Sequence, residues 1–93
     1  MDKDKIFKAL ADPTRRLMLD ELSERKTQSL YELCARLVMK HKAVMSRQAI
    51  TKHLSILEDA GLVKSERQGR YKLIVFNDEP IKKIVERWIK RNY

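Results

Sequence analysis

The sequence predicts a small domain that is mainly α-helical and carries one β-hairpin in its second half. Apolar residues recur at helical spacing along most of the chain, and one short stretch after residue 62 has the alternation and β-branched content of strands. Only two glycines and two prolines occur in 93 residues, so connecting loops should be few. A chain of this length forms one domain, residues 1–93, with a limited core to which a second copy could add buried surface.

Two helices are predicted in the first third of the chain. The first should cover residues 3–11. The Asp12-Pro13 pair should end it, because a residue before proline avoids helical geometry, and should begin the next helix, because aspartate caps and proline suits the first helical position. The second helix should cover residues 14–24. In the first helix, Ile6, Phe7 and Leu10 lie on one side, and the second helix should bury Leu17, Met18 and Leu22, with Leu19 at the edge.

A polar break at residues 27–29 precedes a third helix, which either Thr27 or Ser29 could cap. The segment that follows this helix, MKHKAVM at residues 39–45, contains no glycine or proline. It could prolong the helix by about two turns or form an irregular basic connector. The apolar stripe of the third helix consists of Leu30, Leu33, Cys34, Leu37 and Val38.

The most informative stretch is SRQAITKHLSILEDAGLV, residues 46–63. Ser46 can cap a helix over residues 46–60, and Gly61 is placed to end it. Its inward positions are Ile50, His53, Leu54 and Leu57. Its outward positions are polar and free of acids: Arg47, Gln48, Thr51, Lys52 and Ser55. This pattern predicts a recognition helix whose outer face enters a major groove, and an ordinary amphipathic surface helix is the alternative.

Two short β-type runs surround the tetrapeptide RQGR, residues 67–70, in which Gly69 can adopt positive φ. Directly after a recognition helix, such a ribbon with a basic tip is typical of a wing, here residues 64–73. The alternative is a plain surface hairpin with charged ends. The expected fold is therefore a winged helix-turn-helix with about five helices and a two-stranded wing.

The last predicted helix has a continuous apolar stripe opposite a charged face. This stripe either completes the core or pairs with a second copy. We favour pairing, with the first helix as the co-packing element, because the other elements already cover one another in a winged helix. The predicted dimer interface comprises Ile6, Phe7, Leu10, Ile81, Ile84, Val85, Trp88 and Ile89.

The net charge of +8 is unevenly distributed. Residues 1–35 balance seven basic against seven acidic side chains, whereas residues 36–57 hold five basic and no acidic ones. Residues 64–72 hold four basic side chains and one acid, and residues 81–93 hold five basic side chains and one acid. A basic second half indicates a polyanionic partner, double-stranded DNA first and an anionic membrane surface a distant second. No apolar run is long enough to span a membrane. The first ten residues mix acids with lysines and are not expected to act as a secretory signal.

Four further side chains, Arg15, Arg16, His41 and Cys34, are not assigned to the predicted DNA-binding surface. Arg15 and Arg16 are interpreted as solvated charges, with phosphate contact as the alternative. His41, between two lysines, should be solvated or touch phosphate, and metal binding there is disfavoured by its cationic neighbours. Cys34 is interpreted as a packed core thiol. A single cysteine cannot form an internal disulfide, which fits a reducing cytoplasm.

With these residues, the chain resembles the ArsR-type family of bacterial winged helix-turn-helix repressors, from about Ile6 to Ile89. The segments that carry the resemblance are FKALADPTRRLMLDEL, LYELCARL and SRQAITKHLSILEDAGLVKSERQGRYKLIVF. It implies a homodimer held by the first and last helices, operator DNA as partner, and repression relieved by a signal. It also implies DNA-facing positions at Ser46, Arg47, Gln48, Thr51 and Lys52 and a wing tip at residues 67–70.

The chain departs from this family in two ways. Metal-sensing members carry a C-x-C pair on the helix before recognition, whereas Cys34 is followed by Ala35 and Arg36, and the last helix has no histidine. We therefore expect no metal and no other cofactor, because one thiol cannot supply a soft-metal site. The helix-turn-helix connection is also longer than the family's tight turn.

The predicted function is sequence-specific transcriptional regulation by a homodimeric repressor. It should bind an inverted-repeat operator through the recognition helix, residues 46–60, and the wing, residues 64–73. Base-reading residues are expected at Arg47, Gln48, Thr51 and Lys52. Contacts to the DNA backbone are expected from Lys40, Lys42, Ser46, Ser55, Arg67, Gln68 and Arg70. The alternative is a winged-helix interaction module that uses its basic face for an acidic protein. RNA binding is disfavoured because no aromatic residue other than Tyr71 lies on the exposed strand or the recognition face in a stacking pattern. Catalysis is disfavoured by the absence of a nucleophile–base pair or a glycine-rich phosphate loop.

Overall fold

The computed structural model describes residues 3–42 and 45–89. The elements follow in the order α1 (Lys3–Leu10), α2 (Pro13–Glu24), β1 (Thr27–Ser29), α3 (Leu30–His41), α4 (Arg47–Asp59), β2 (Val63–Gln68), β3 (Tyr71–Phe76) and α5 (Glu79–Trp88). The described residues thus form five helices and a three-stranded sheet, and the predicted winged helix-turn-helix is confirmed. None of the helices described is long and apolar enough to cross a membrane.

Capping residues set the starts of three helices at the predicted places. The Asp12 carboxylate accepts a hydrogen bond from the Arg15 amide at 3.0 Å, and Pro13 occupies the first turn of α2. Of the two candidates before α3, Ser29 is the cap. Its hydroxyl accepts from the Glu32 amide at 3.0 Å while the Glu32 carboxylate accepts from the Ser29 amide at 3.1 Å. This reciprocal pair satisfies two amide groups that a helix start leaves unpaired.

The three-residue stretch Thr27–Ser29 is a strand, which the sequence pattern did not predict. It pairs antiparallel with β3, with Gln28 opposite Ile74, so that the sheet order is β1-β3-β2. Gln28 is 2% exposed, and its amide nitrogen donates to the Arg25 carbonyl at 2.9 Å. The Arg25 carbonyl thus satisfies the amide nitrogen of Gln28, whereas its buried Oε1 has no hydrogen-bond partner among the described residues.

The core lies where α1–α4 meet the sheet. Its fully buried members include Met18, Leu22, Leu33, Leu37, Leu54 and Leu57, together with Leu62 just before β2 and Ile74 of β3. Leu17 and Cys34 are half-buried and pack against this core, whereas Val38, which was predicted to be buried, is 50% exposed. Ile81 and Ile84 are the residues through which α5 packs against the core.

The described part of the segment at residues 39–45 shows where α3 ends. α3 continues through His41, and Lys42 then adopts the left-handed conformation, with φ 51° and ψ 32°. Its amide donates to the Val38 carbonyl at 3.0 Å, which ends the helix. Ala43 and Val44 lie outside the described residues, as do Lys90 and Arg91 of the basic carboxyl-terminal segment.

Candidate nucleic-acid interface

The proposed recognition helix, α4, has well-defined ends. The Ser46 hydroxyl accepts a hydrogen bond from the Ala49 amide at 3.1 Å. At the other end Gly61 has φ 77° and donates to the Glu58 carbonyl at 2.9 Å, while the Leu62 amide donates to the Leu57 carbonyl at 3.0 Å. These two bonds form a Schellman motif, for which glycine is favoured because it adopts positive φ without strain.

The two faces of α4 divide as the helical spacing predicts. Ile50, Leu54 and Leu57 are buried, and His53 is half-buried on the same side. The five outward residues, Arg47, Gln48, Thr51, Lys52 and Ser55, are all exposed. The Thr51 hydroxyl donates to the Arg47 carbonyl at 2.9 Å, so its hydrogen is used within the helix while its oxygen can still accept. This face therefore offers two cations, an amide and two hydroxyl groups to a partner.

A buried arginine holds the inner side of α4. Arg15, only 8% exposed, donates from Nε to the Ala9 carbonyl at 2.9 Å and from Nη2 to the Lys8 carbonyl at 3.0 Å. Its Nη1 lies 3.2 Å from His53 Nδ1. The interpretation of Arg15 as a solvated charge or a phosphate contact is therefore wrong. Its guanidinium satisfies carbonyls at the end of α1 and joins them to the recognition helix.

The contacts of Arg15 also determine the tautomer of His53 and the pKa of Asp12. Because arginine only donates, His53 Nδ1 accepts, and the ring proton of neutral His53 is on Nε2. Asp12 Oδ2 is 3.9 Å from His53 Nδ1, too far for a hydrogen bond, so the Arg15 contact decides the tautomer. The hydrogen bond from the Arg15 amide, followed by the Arg15 charge, holds the pKa of Asp12 below its ordinary value.

The wing is the hairpin of β2 and β3. Its register runs from Val63 opposite Phe76 to Gln68 opposite Tyr71, which leaves Gly69 and Arg70 as a two-residue loop. Gly69 has φ 59°, as expected for a tight hairpin turn with glycine at its first central position. All of Glu66–Arg70 is exposed. The Ser65 hydroxyl donates to the Glu58 carboxylate, which links the wing to the end of α4.

A buried carboxylate holds the basic end of α3. Glu21 is 2% exposed, and its Oε1 accepts from His41 Nε2 at 2.9 Å and lies 3.5 Å from Lys40 Nζ. The interpretation of His41 as a solvated side chain is therefore wrong, because the Glu21 carboxylate binds its Nε2. Lys40 also donates to Glu24 at 2.9 Å, and this pair lowers the pKa of Glu24 and raises that of Lys40. Lys40 thus has acidic partners within the chain, whereas no side-chain partner is found for Lys42 among the described residues.

An exposed apolar surface, formed by α1 and α5, lies apart from these basic residues. The rings of Phe7 and Trp88 stack in parallel with centroids 5.7 Å apart. Phe7 and Val85 are each 40% exposed, and Trp88 and Ile89 are 53% and 51% exposed. Ile6 does not belong to this surface, because it is 2% exposed and points into the core. The remaining residues of the predicted dimer set, Leu10, Ile81 and Ile84, are half-buried.

The structure therefore assembles one exposed polar face from α4 and a basic loop at the wing tip. Sequence reasoning missed the internal contacts of Arg15 and Glu21, which orient the helices behind this face. In the sequence, the only local indication that Arg15 is held within the protein was its position one helical turn after the capping residue Asp12. Within residues 3–42 and 45–89, no three histidine, cysteine or acidic side chains are grouped so that they could hold a metal ion.

This chain is similar to known proteins that are described as helix-turn-helix or ArsR-type transcriptional regulators. Residues 10–66 match a family model described as a helix-turn-helix domain. The chain is 58% identical over 89 residues to the HTH-type transcriptional regulator YuzN of Bacillus subtilis (strain 168), covering 96% of this chain and 97% of that protein. A solved ArsR family transcriptional regulator superposes with a TM-score of 0.76 at 32% identity, covering 96% of this chain and 84% of the other. An ArsR-like transcriptional regulator from Rhodococcus sp. RHA1 also gives a TM-score of 0.76, at 36% identity and with coverage of 96% and 74%.

Proposed function

The chain belongs to the ArsR-type helix-turn-helix transcriptional regulators, and from this premise we propose that it is a homodimeric repressor of an inverted-repeat operator. As a member of this family it is a DNA-binding regulator and not an enzyme. The observations that carry the finer proposal are the exposed, acid-free outer face of α4 and the exposed basic wing tip. Repression follows if the operator overlaps a promoter, because the bound protein then excludes polymerase.

Contacts to base edges are assigned to the outer face of α4. Arginine favours guanine, where it can donate two hydrogen bonds, and glutamine favours adenine. Arg47 and Gln48 lie in the first turn of α4, the part of a recognition helix that usually contacts bases. Thr51 and Lys52 follow one turn later. The loss of one base-reading side chain should cost about 1–3 kcal/mol and relax the sequence preference.

Contacts to phosphates are assigned to cations and hydroxyls around this face. Arg67, Gln68 and Arg70 at the wing tip are exposed. Ser46 caps α4, and Ser55 lies on its outer face. Lys42 is exposed beside the connection that leads to α4. Lys40 remains in the proposal as the weakest of this set, because phosphate would have to compete with Glu24 and Glu21 for its ammonium group.

The homodimer is proposed from the exposed apolar surface of α1 and α5. Four large apolar side chains stand there, each at least 40% exposed: Phe7, Val85, Trp88 and Ile89. A second copy related by a two-fold axis would cover this surface with the same residues. The two recognition helices would then meet successive major grooves, about 34 Å apart or slightly more, which requires an inverted repeat.

The test is selection of bound fragments from the genome of the source organism, at low and at near-physiological salt. Phosphate contacts alone lose affinity steeply with salt, whereas base contacts keep a preference among sequences. Recovery of one inverted-repeat sequence at the higher salt supports the proposal. Recovery of unrelated fragments that are all lost at the higher salt contradicts it and favours an acidic protein as the partner of the basic face.

A further inference from the structure

A small cavity lies between α3 and the start of α4. Its volume is about 110 Å³, and it is lined by Tyr31, Cys34, Val38, Met45, Arg47 and Ile50. Of these lining residues, Ile50 is 2% exposed, whereas Tyr31 and Val38 are 77% and 50% exposed. The walls are thus apolar, and Arg47 is the single charged residue among them.

The electrostatics of this cavity favour an anion. Among the described residues, no hydrogen-bonding or ion-pairing partner is found for the Arg47 guanidinium, although it lies near enough to act on the charge of Cys34. Arg47 is also the first residue of α4, where the positive end of the helix dipole favours negative charge. A guanidinium presents paired donors that match the two oxygens of a carboxylate.

The Cys34 thiol, which lines the cavity, carries no charge that would repel an anion. Burial raises the pKa of Cys34, and this effect outweighs the opposite influence of Arg47. Cys34 therefore remains a neutral, polarisable group at physiological pH and behaves as a small apolar side chain. A ligand anion beside Arg47 would meet no competing thiolate.

We propose that this cavity binds a short branched carboxylate, with its apolar end against Ile50 and Val38 and its carboxylate on Arg47. The volume sets the size, because an apolar cavity of about 150 Å³ accommodates benzene, so the smaller space suits an apolar end of about four carbons. Arg47 is also one of the residues proposed to contact bases. A bound carboxylate therefore withdraws it from DNA and weakens operator binding, a step that rests on the proposed function.

The binding step is tested without DNA, by titrating isovalerate into the isotopically labelled protein and following the NMR signals of Cys34, Val38 and Ile50. Two control ligands separate the contributions: isoamyl alcohol has the branched chain without the charge, and acetate has the charge without the branched chain. Saturable shifts with isovalerate, and affinities weaker by about tenfold or more for isoamyl alcohol and for Arg47→Gln, support the site. The site is refuted if acetate causes the same shifts or if no shift saturates.

The regulatory step is tested with a matched pair of variants on α3. Val38→Phe fills the cavity, whereas Met39→Phe adds a similar bulk at a position that is 81% exposed and outside the cavity lining. Isovalerate should lower the operator affinity of the wild type and of Met39→Phe but leave that of Val38→Phe unchanged. Isovalerate binding without any change in wild-type operator affinity refutes this step. Failure of the proposed function itself would be recognised separately, as a lack of operator preference before any isovalerate is added.

Discussion

Arg15 Nη1 lies 3.2 Å from His53 Nδ1 and thereby joins α2 to the inner side of α4. The same guanidinium donates to two carbonyls at the end of α1, so a single side chain connects three helices. The position of the recognition helix therefore depends on a polar contact behind it as well as on the apolar residues beside that contact.

Arg15→Ala should lower the free energy of unfolding by about 2–4 kcal/mol, because it leaves the buried Ala9 carbonyl and a histidine nitrogen without this donor. The Lys8 carbonyl would keep the Ala11 amide as a donor. Urea denaturation measures this loss. The matched control is Arg16→Ala, since Arg16 is the exposed neighbour on the same helix and should cost about 1 kcal/mol or less. Equal losses for the two variants would show that the Arg15 contacts contribute little.

Asp12→Asn should change the pH dependence of stability while retaining the helix cap, because asparagine also caps. The pKa of Asp12 is lowered in the folded protein, so its carboxylate stabilises the fold above the ordinary pKa of aspartate. This stabilisation disappears as the pH falls through the lowered folded value. The difference in the free energy of unfolding between wild type and Asp12→Asn should therefore be largest near neutral pH and shrink on acidification.

Urea titrations at a series of pH values test this expectation, with Asp20→Asn on the exposed side of α2 as the control. A wild-type advantage over Asp12→Asn that persists unchanged to the lowest pH would argue against the role of the Asp12 charge.

Arg70→Ala and Gln48→Ala should weaken DNA binding in different ways. Arg70, at the wing tip, is assigned to phosphate, so its loss should weaken binding to all sequences about equally and reduce the salt slope by about 1. Gln48 is assigned to a base edge, so its loss should cost about 1–3 kcal/mol on the operator and relax preference at one position. Binding assays on the operator and on its single-base variants, at several salt concentrations, measure both effects. A changed sequence preference in Arg70→Ala would mean that the wing assignment is wrong.

Trp88→Lys should convert the proposed dimer into a monomer, because it places a charge on the exposed apolar surface of α1 and α5. Trp88 is 53% exposed, so the fold of each chain should be retained. Analytical ultracentrifugation gives the oligomeric state, and circular dichroism checks the fold. Tyr31→Lys, at a position 77% exposed on α3, is the control that should leave the dimer intact. A dimer that persists in Trp88→Lys with unchanged affinity would place the subunit contact elsewhere.

Local chemistry in the sequence was sufficient to predict most of the helices and the wing. Asp12, Ser46 and Gly61 act on backbone groups within a few residues of themselves, so their roles can be recognised without the rest of the molecule. The outward face of α4 follows equally from helical spacing. For the candidate interface, the sequence therefore predicted which side chains are exposed together.

Other features were decided only by the tertiary structure. Thr27–Ser29 became a strand because β3, far along the chain, offers it backbone partners. Arg15 and His41 both looked like surface cations in the sequence. Arg15 instead donates to carbonyls at the carboxyl end of α1, and His41 binds the buried carboxylate of Glu21. No local pattern reveals these acceptors. Ile6 likewise lies in the core although its spacing also suited an interface. Helix ends and faces depend on neighbours within about one or two turns, whereas burial and ion pairing depend on groups brought together only by folding.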